Sequence, residues 1–425
     1  MTPWTEQATH RSWLEQESLR LLAFGRRAHL PEGGTAYLDE FGQPDSRQGV
    51  RTWITSRTVH VHSLGVLLGI PGSAPVADAA LAGLTGPLRD TTDGGWFHGL
   101  DPAGKPLVDA GKRCYDHAFV LLAASSALLA ERPGADGLLA EATAVYSERF
   151  WDEEAGLPRD SWDRAFSRPE DYRGLNATMH SVEAALAVAD ALEAHAGGRT
   201  DDSAVWRARA SRMAGFAVEL AAKYDGRLPE HFDARWSADL DLNRDTPRDA
   251  FKPFGATPGH GLEWSRLLLQ LEAATEPSPE LVDTAVLLFD RAVADAWAVD
   301  GADGFVYTTD WEGRPVVRER MHWVVAEAIA AAAALHTRTG QDRYARWYAT
   351  WWDCAERHLL DRAGGSWWHE LDIANRPART VWSGKPDLYH ALQCTLSPRL
   401  PLAPTVARAL RDDLLAAPSR QEGQR

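Results

Sequence analysis

A six-fold recurrence is the feature that most restricts how this chain can fold. Six glycine-led segments, each containing an aromatic residue, occur along its length and begin at Gly33, Gly94, Gly156, Gly226, Gly304 and Gly364. Each mixes β-forming residues with Gly, Asp or Pro, which is typical of a short hairpin or extended loop. The sequence therefore predicts a repeat architecture in which six hairpins separate larger units.

The stretches between the hairpins have helical periodicity and predict six helix pairs. The pairs are 52–70 with 75–88, 113–132 with 135–149, 176–197 with 203–224, 259–274 with 279–297, 320–339 with 341–360, and 386–394 with 403–417. An extra helix is predicted at residues 3–27. No linker divides the chain, so residues 1–417 are expected to form one domain, followed by a disordered tail at 418–425.

Several first helices of these pairs, such as the one containing residues 326–335, are apolar most of the way round. A helix of that kind is buried on all sides. Six pairs could form an open solenoid or a closed ring, but a solenoid needs capping repeats and a ring does not. The predicted fold class is therefore all-α: an (α/α)6 barrel, or toroid, with short β-hairpin loops between the helix pairs.

Polar residues fall near the amino terminus of each first helix. In chain order the sets are Arg57; Tyr115, Asp116 and His117; Asn176, His180 and Glu183; His260 and Glu263; His322, Trp323 and Glu327; and Tyr389 and His390. If the first helices form an inner barrel, these sets converge on one funnel, into which helix amino termini also direct free N–H groups. Most other histidines are assigned to the surface or to hydrogen-bonded core positions: His60, His62, His117, His231 and His369.

Charge, cysteine content and hydropathy exclude several classes of function. The formal net charge of -15 disfavours nucleic-acid binding. Three widely spaced cysteines predict neither a disulfide framework nor a zinc site. No apolar run is long enough to span a bilayer, and the amino terminus does not resemble a signal peptide. A cytoplasmic protein without membrane or nucleic-acid partners is expected, as a monomer or homodimer.

Two H-x-x-E spacings, His180 to Glu183 and His260 to Glu263, leave two chemistries open. Residues three apart share a helix face, so each pair could ligate a metal or let a carboxylate orient an imidazole for proton transfer. A di-metal site between helices would need about four carboxylates. The inner helices carry few carboxylates and more histidines, which favours proton transfer without a metal. A glycosidase would need two carboxylates across the scissile bond, for which Glu263 and Glu327 are candidates.

Three segments resemble the N-acylglucosamine 2-epimerase family. They are T-P-G-H-G-L-E-W from Thr257, N-A-T-M-H-S-V-E-A from Asn176, and G-K-P-D-L-Y-H-A-L-Q from Gly384. C-Y-D-H-A-F from Cys114 and the helix around Arg57 add support, and the likeness is strongest to bacterial aldose–ketose isomerases acting on D-mannose or sulfoquinovose. The resemblance implies an (α/α)6 barrel and cofactor-free interconversion of D-mannose with D-fructose, or of a close analogue.

By matching motif positions, the resemblance implies that His260 and His390 are the catalytic acid/base pair. It further implies that seven residues bind or position the sugar: Arg57, Tyr115, Asn176, His180, Glu263, Trp323 and Glu327. A sulfonated sugar would need an extra basic contact, for which Lys252 and Arg248 are candidates.

The expected mechanism is proton abstraction next to a carbonyl. His260, with its tautomer held by Glu263, would serve the ring oxygen or the carbonyl side, and His390 would move the C2 proton to C1 through an enediol(ate). The alternatives are a sugar 2-epimerase on the same scaffold and a glycoside hydrolase.

Overall fold

The computed structural model describes residues 2–415. Within that range it contains thirteen α-helices: α1 (Ala8–Gly25), α2 (Thr52–Leu67), α3 (Ser73–Thr85), α4 (Cys114–Leu129), α5 (Ala135–Val145), α6 (Leu175–Ala196), α7 (Asp201–Lys223), α8 (Pro258–Ala274), α9 (Pro279–Ala296), α10 (His322–Thr339), α11 (Asp342–Cys354), α12 (Tyr389–Leu396) and α13 (Val406–Arg411). The tail predicted at 418–425 lies outside the described residues.

The helices form two concentric rings. The inner ring runs α2, α4, α6, α8, α10 and α12, and α12 packs back against α2 to close it. Small side chains allow the inner helices to approach one another closely. In α10, every residue from Val324 to Leu335 is buried. Among the described residues, no helix combines the length and apolarity needed to cross a bilayer.

The outer ring corrects the predicted sixth helix pair. Helices α3, α5, α7, α9 and α11 cover their preceding inner helices, but the helix that packs on α12 is α1. The helix predicted at 403–417 is only α13, which packs against α2, α4 and α6. The helix taken as an extra one therefore completes the ring. The order of the helices in the sequence did not reveal that α1 pairs with α12, because these two helices are far apart along the chain.

Twelve very short strands connect the helices in the described range. They are β1 (Val50–Arg51), β2 (Gly99–Leu100), β3 (Lys112–Arg113), β4 (Trp151–Asp152), β5 (Leu157–Pro158), β6 (Ser161–Trp162), β7 (Arg173–Gly174), β8 (His231–Phe232), β9 (Thr308–Thr309), β10 (Pro315–Val317), β11 (Arg320–Met321) and β12 (Glu370–Leu371). All six pairings are antiparallel: β1–β2, β3–β6, β4–β5, β7–β8, β9–β10 and β11–β12.

The strand that leads into an inner helix usually pairs with the hairpin after the outer helix of the same unit. The first helical N–H then donates to a hairpin carbonyl, as in Leu175 to Glu230 at 3.0 Å and His322 to His369 at 3.1 Å. Thr52 and Cys114 donate in the same way to His98 and Asp160. This repeated bond holds the amino termini of inner helices at one rim of the ring.

An aspartate organises each of the six hairpins. Its Oδ1 accepts backbone N–H groups within the turn that follows, so that the side chain replaces part of a backbone turn. The six are Asp39, Asp101, Asp163, Asp233, Asp310 and Asp372. Because these bonds are local, one aspartate in each repeat stabilises the turn of its hairpin.

Candidate active site

A cavity opens at the rim where the inner helices begin. Together with its open mouth it encloses about 700 Å³ of space between atoms. Eight of the nine predicted site residues line it: Arg57, Tyr115, Asn176, His180, His260, Glu263, Trp323 and His390. The convergence of polar residues that the repeat predicted is therefore present in the structure.

The two imidazoles His260 and His390 both lie beside the ring of Trp323. The centroid of the Trp323 ring is 5.1 Å from that of His260 and 5.7 Å from that of His390. In each imidazole Nδ1 is hydrogen-bonded to a glutamate carboxylate at 2.8 Å, Glu230 for His260 and Glu327 for His390. Nε2 of each ring is thereby left for a ligand.

One predicted glutamate contact is wrong, and a second glutamate lies outside the cavity lining. Glu263 does not hold His260, because the imidazole turns away from its own helix towards the hairpin that carries Glu230. Glu327 is not a cavity-lining residue; it lies behind His390, with one oxygen on that imidazole and the other accepting from Arg266 Nε at 2.9 Å. His260 and Glu263 share a helix face, but the neighbouring hairpin rather than that face supplies the partner of the imidazole.

Glu263 lines the cavity with a carboxyl group that makes no hydrogen bond within the described part of the chain. Both of its oxygens are buried without a hydrogen-bond partner, 3.5 Å from Arg266 and 3.8 Å from His180 Nδ1 at the closest. Burial, with repulsion from Glu327, holds the pKa of Glu263 well above its usual value. In its protonated form a carboxyl group can both donate and accept a hydrogen bond, and in its ionised form it can only accept.

Arg57 supplies the cation of the site. Its Nη1 donates to Asp387 Oδ2 at 3.2 Å, its Nη2 donates to Tyr115 Oη at 2.9 Å, and its guanidinium lies 4.3 Å from the centre of the Phe119 ring. Burial opposes the charge, but Tyr115 and Asp387 outweigh it and keep the pKa of Arg57 above its usual value. The guanidinium therefore remains charged at the cavity wall.

Asn176 and His180 present unused polar atoms. Asn176 Oδ1 and His180 Nδ1 are buried and have no hydrogen-bond partner. Burial lowers the pKa of His180 to about 4, so the ring is neutral near pH 7. Buried polar atoms normally find partners, and here those partners would be hydroxyl groups of a bound ligand.

Several cavity residues were missed from the sequence. His369 had been assigned away from the site, but it stacks on His322 with ring centroids 3.8 Å apart, and both rings line the cavity. Tyr307 and Asp387 also line it. One signal could have found three of the missed residues: Glu230, Tyr307 and His369 each lie three residues before the hairpin aspartate.

The candidate residues for a sulfonate do not line the cavity. Lys252 borders an adjoining outer groove, where its Nζ lies 3.6 Å from the centre of the Tyr172 ring. Arg248 is exposed and paired with Glu319 at 3.2 Å. Neither prediction is supported by the geometry.

Arg266 occupies the centre of the buried acidic cluster beneath the cavity. Two groups of three residues have metal-ligand spacing: His180 with Glu183 and Glu263, and Glu263 with Glu327 and His390. Arg266 lies within 4 Å of all three glutamates, at 3.9, 3.5 and 2.9 Å. A guanidinium thus supplies the positive charge that a metal would otherwise bring.

Comparison with known proteins decides the family. The family model described as N-acylglucosamine 2-epimerase (GlcNAc 2-epimerase) matches residues 33–394. The chain belongs to the N-acylglucosamine 2-epimerase family. The predicted family and the predicted (α/α)6 barrel are both confirmed.

Relatives of this family member include two proteins named D-mannose isomerase. That of Thermobifida fusca is 53% identical over 96% of this chain and 99% of its own length. That of Pseudomonas cannabina pv. alisalensis is 44% identical over 96% of this chain and 97% of its own. A solved D-mannose isomerase structure is 27% identical, with a TM-score of 0.82 over 91% of this chain and 97% of that one.

Proposed function

We propose that this member of the N-acylglucosamine 2-epimerase family is an aldose–ketose isomerase that interconverts D-mannose and D-fructose, or a close analogue. The observation that carries the proposal is the pair of imidazoles, His260 and His390, which line one cavity and both lie beside the ring of Trp323. The names of relatives that match nearly the full chain support the same activity.

The reaction moves a proton between C1 and C2 of an open-chain sugar through an enediol(ate). His390 would take the C2 proton and return it to C1, and His260 would serve the oxygen side. Burial and the nearby Arg57 cation hold the pKa of His390 well below its usual value, so its ring is neutral near pH 7 and able to accept a proton. One positioned acid or base contributes about 10² to 10⁴-fold to a rate.

The remaining cavity groups suit a polyol. Arg57 would stabilise the oxyanion that develops on the carbonyl oxygen, and one such donor contributes roughly 3 kcal/mol. Asn176, His180 and the carboxyl group of Glu263 offer hydrogen bonds to hydroxyl groups. Trp323 offers a flat apolar face to the C–H face of the chain.

The direct test replaces each histidine with alanine. We expect His260→Ala and His390→Ala each to lower fructose formation from D-mannose by at least about 10²-fold while the far-ultraviolet circular dichroism is unchanged. His358→Ala, at a histidine outside the cavity lining, is the control and should keep wild-type turnover. A folded His260 or His390 variant with near wild-type turnover would overturn the proposal.

Deuterium exchange distinguishes an isomerase from a 2-epimerase with the same imidazoles. In D₂O, an isomerase places deuterium on C1 of fructose, whereas an epimerase exchanges only C2 and yields the epimeric aldose. Nuclear magnetic resonance of the product mixture identifies the labelled carbon. A glycoside hydrolase is disfavoured, because Glu327 lies behind His390 and cannot flank a bond together with Glu263.

We further propose that no metal takes part, because Arg266 already neutralises the only buried carboxylate cluster beneath the cavity in the described range. Turnover should survive incubation with EDTA followed by gel filtration. Loss of activity that a divalent ion restores would contradict this.

We also propose a cytoplasmic enzyme, monomeric or homodimeric, with a monosaccharide as its only partner. All three cysteines are free and buried, which suits a reducing compartment. Size-exclusion chromatography with light scattering measures the oligomeric state.

A further inference from the structure

Glu230 lies in the predicted hairpin segment that begins at Gly226, and it contacts the imidazole of His260, which faces the cavity. Its carboxylate is hydrogen-bonded to Nδ1 of His260 at 2.8 Å, and the residue is only 4% exposed. Among the described residues, His260 is the only basic group within 4.0 Å of this carboxylate. The pair is thus an isolated carboxylate–imidazole couple.

The backbone around Glu230 is fixed from two sides. Its carbonyl oxygen accepts the N–H of Leu175, the first residue of α6, at 3.0 Å. The next residue, His231, accepts from Tyr172 Oη at 2.8 Å and donates from Nε2 to the Pro253 carbonyl at 2.8 Å. The backbone that carries the carboxylate is therefore tied both to α6 and to the segment around Pro253.

The two glutamate–histidine couples differ in charge. Glu327 is hydrogen-bonded to His390 and also accepts from the Arg266 guanidinium. A positive charge therefore lies beside this carboxylate in addition to the imidazole. Within residues 2–415, Glu230 has no guanidinium within 4.0 Å, and His260 is its ion-pair partner. A carboxylate at Nδ1 fixes the tautomer of an imidazole and stabilises its protonated form.

We propose that Glu230 is a positioning residue for proton transfer, which holds His260 in the Nδ1–H tautomer and stabilises its imidazolium form through an ion pair. This rests on the proposed function, because it assigns the partner of one of its two imidazoles. The other titratable groups facing the couple are His180 from α6, Tyr172 and His231 from its own unit, and Tyr307 from the next hairpin.

Glu230→Gln removes the charge and keeps the shape and one hydrogen-bond acceptor. We expect kcat to fall about 10- to 100-fold with KM changed by less than about threefold. The limb of the pH profile that His260 contributes should move to lower pH, because the imidazolium form loses its counter-charge. A purely structural role for Glu230 would reduce activity without moving that limb.

Asp116→Asn is the matched control. Asp116 is a buried carboxylate bonded to Nδ1 of His98 at 2.9 Å, and neither residue lines the cavity. Its replacement removes the same kind of couple, so we expect some loss of stability with both limbs of the profile unchanged. If Asp116→Asn moves the profile as much as Glu230→Gln does, the proposal is overturned.

Nuclear magnetic resonance of ¹⁵N-labelled histidine separates this proposal from the proposed function. The wild-type His260 signals, assigned by their loss in His260→Ala, should show the Nδ1–H tautomer and should titrate at lower pH in Glu230→Gln. This readout needs no turnover, so it remains decisive if D-mannose is not converted. Unchanged His260 signals in Glu230→Gln would refute the role of Glu230.

Should Glu230→Gln not fold, Glu230→Asp keeps the charge but shortens the side chain by one methylene. We expect lower kcat together with a pH limb nearer to wild type, because the charge remains and the hydrogen bond lengthens. Wild-type kcat in Glu230→Asp would contradict a role that depends on contact.

Discussion

At the scale of single residues, the site is defined by the group that each carboxyl faces. Glu230 and Glu327 are hydrogen-bonded to imidazoles, whereas Glu263 has no hydrogen-bond partner among the described residues, and burial holds its pKa well above its usual value. Glu263 and Glu327 were named from the sequence and Glu230 was not, and the partners of all three came only from the structure. The identity of each partner depends on a loop or helix from another part of the chain.

Asp160 gives a prediction at this scale, because it occupies the hairpin position equivalent to that of Glu230 without an imidazole partner. Burial raises the pKa of Asp160 to about 6. An acid with a raised pKa in the folded state imposes no cost below its unfolded pKa and destabilises the fold as the pH rises through 6.

Asp160→Asn should therefore raise the free energy of unfolding by about 1–2 kcal/mol at pH 8 and leave it nearly unchanged at pH 4. Urea unfolding at both pH values measures this. An equal effect at the two pH values would show that the charge of Asp160 is not the cause.

At the scale of elements, the hairpins carry the information that places the site. Each hairpin aspartate fixes a turn, and the residue three positions earlier is directed towards the rim in the units of Glu230, Tyr307 and His369. The inner helix α8 and its outer partner α9 were predicted to within a residue at each end, because proline and the periodic apolar face mark their limits.

Asp233→Ala should loosen the hairpin that carries Glu230. Asp233 Oδ1 accepts the N–H groups of Arg235 and Ser237 at 2.8 and 2.9 Å. Losing them should cost about 1–2 kcal/mol and speed amide hydrogen exchange in residues 230–238 more than elsewhere.

Asp101→Ala, in a hairpin without a catalytic couple, is the comparison for Asp233→Ala. It should lower stability by a similar amount and leave kcat at its wild-type value. If Asp233→Ala also leaves kcat unchanged, the hairpin does not need its turn to position Glu230.

At the scale of the whole molecule, the two ends of the chain close the ring. Glu17 on α1 accepts from Trp367 Nε1 at 2.9 Å, and Ser18 contacts Thr395 at 2.7 Å. Arg20, paired with Glu17, donates to the carbonyls of Asp361 and Ser366. These contacts join residues more than 300 positions apart.

Glu17→Ala should lower the free energy of unfolding by about 3 kcal/mol, because it leaves a buried indole N–H and a guanidinium without their partner. Urea unfolding followed by circular dichroism measures the loss, and Glu15→Ala, at an exposed position on the same helix, should have little effect. The transition should remain single, since no repeat is terminal in a ring. A separate early transition would indicate an open, solenoid-like end.

The sequence by itself determined the six-fold repeat, the inner and outer helix periodicity, and the rim on which Arg57, His260 and His390 lie. These follow from local rules: apolar period, turn-forming aspartate and glycine, and residue position within a helix. Only the tertiary structure decided that α1 completes the sixth pair, that Glu230 rather than Glu263 holds His260, and that Arg266 fills the acidic cluster. Each of these is a contact between residues distant in the chain, whose closeness depends on how the ring packs and closes.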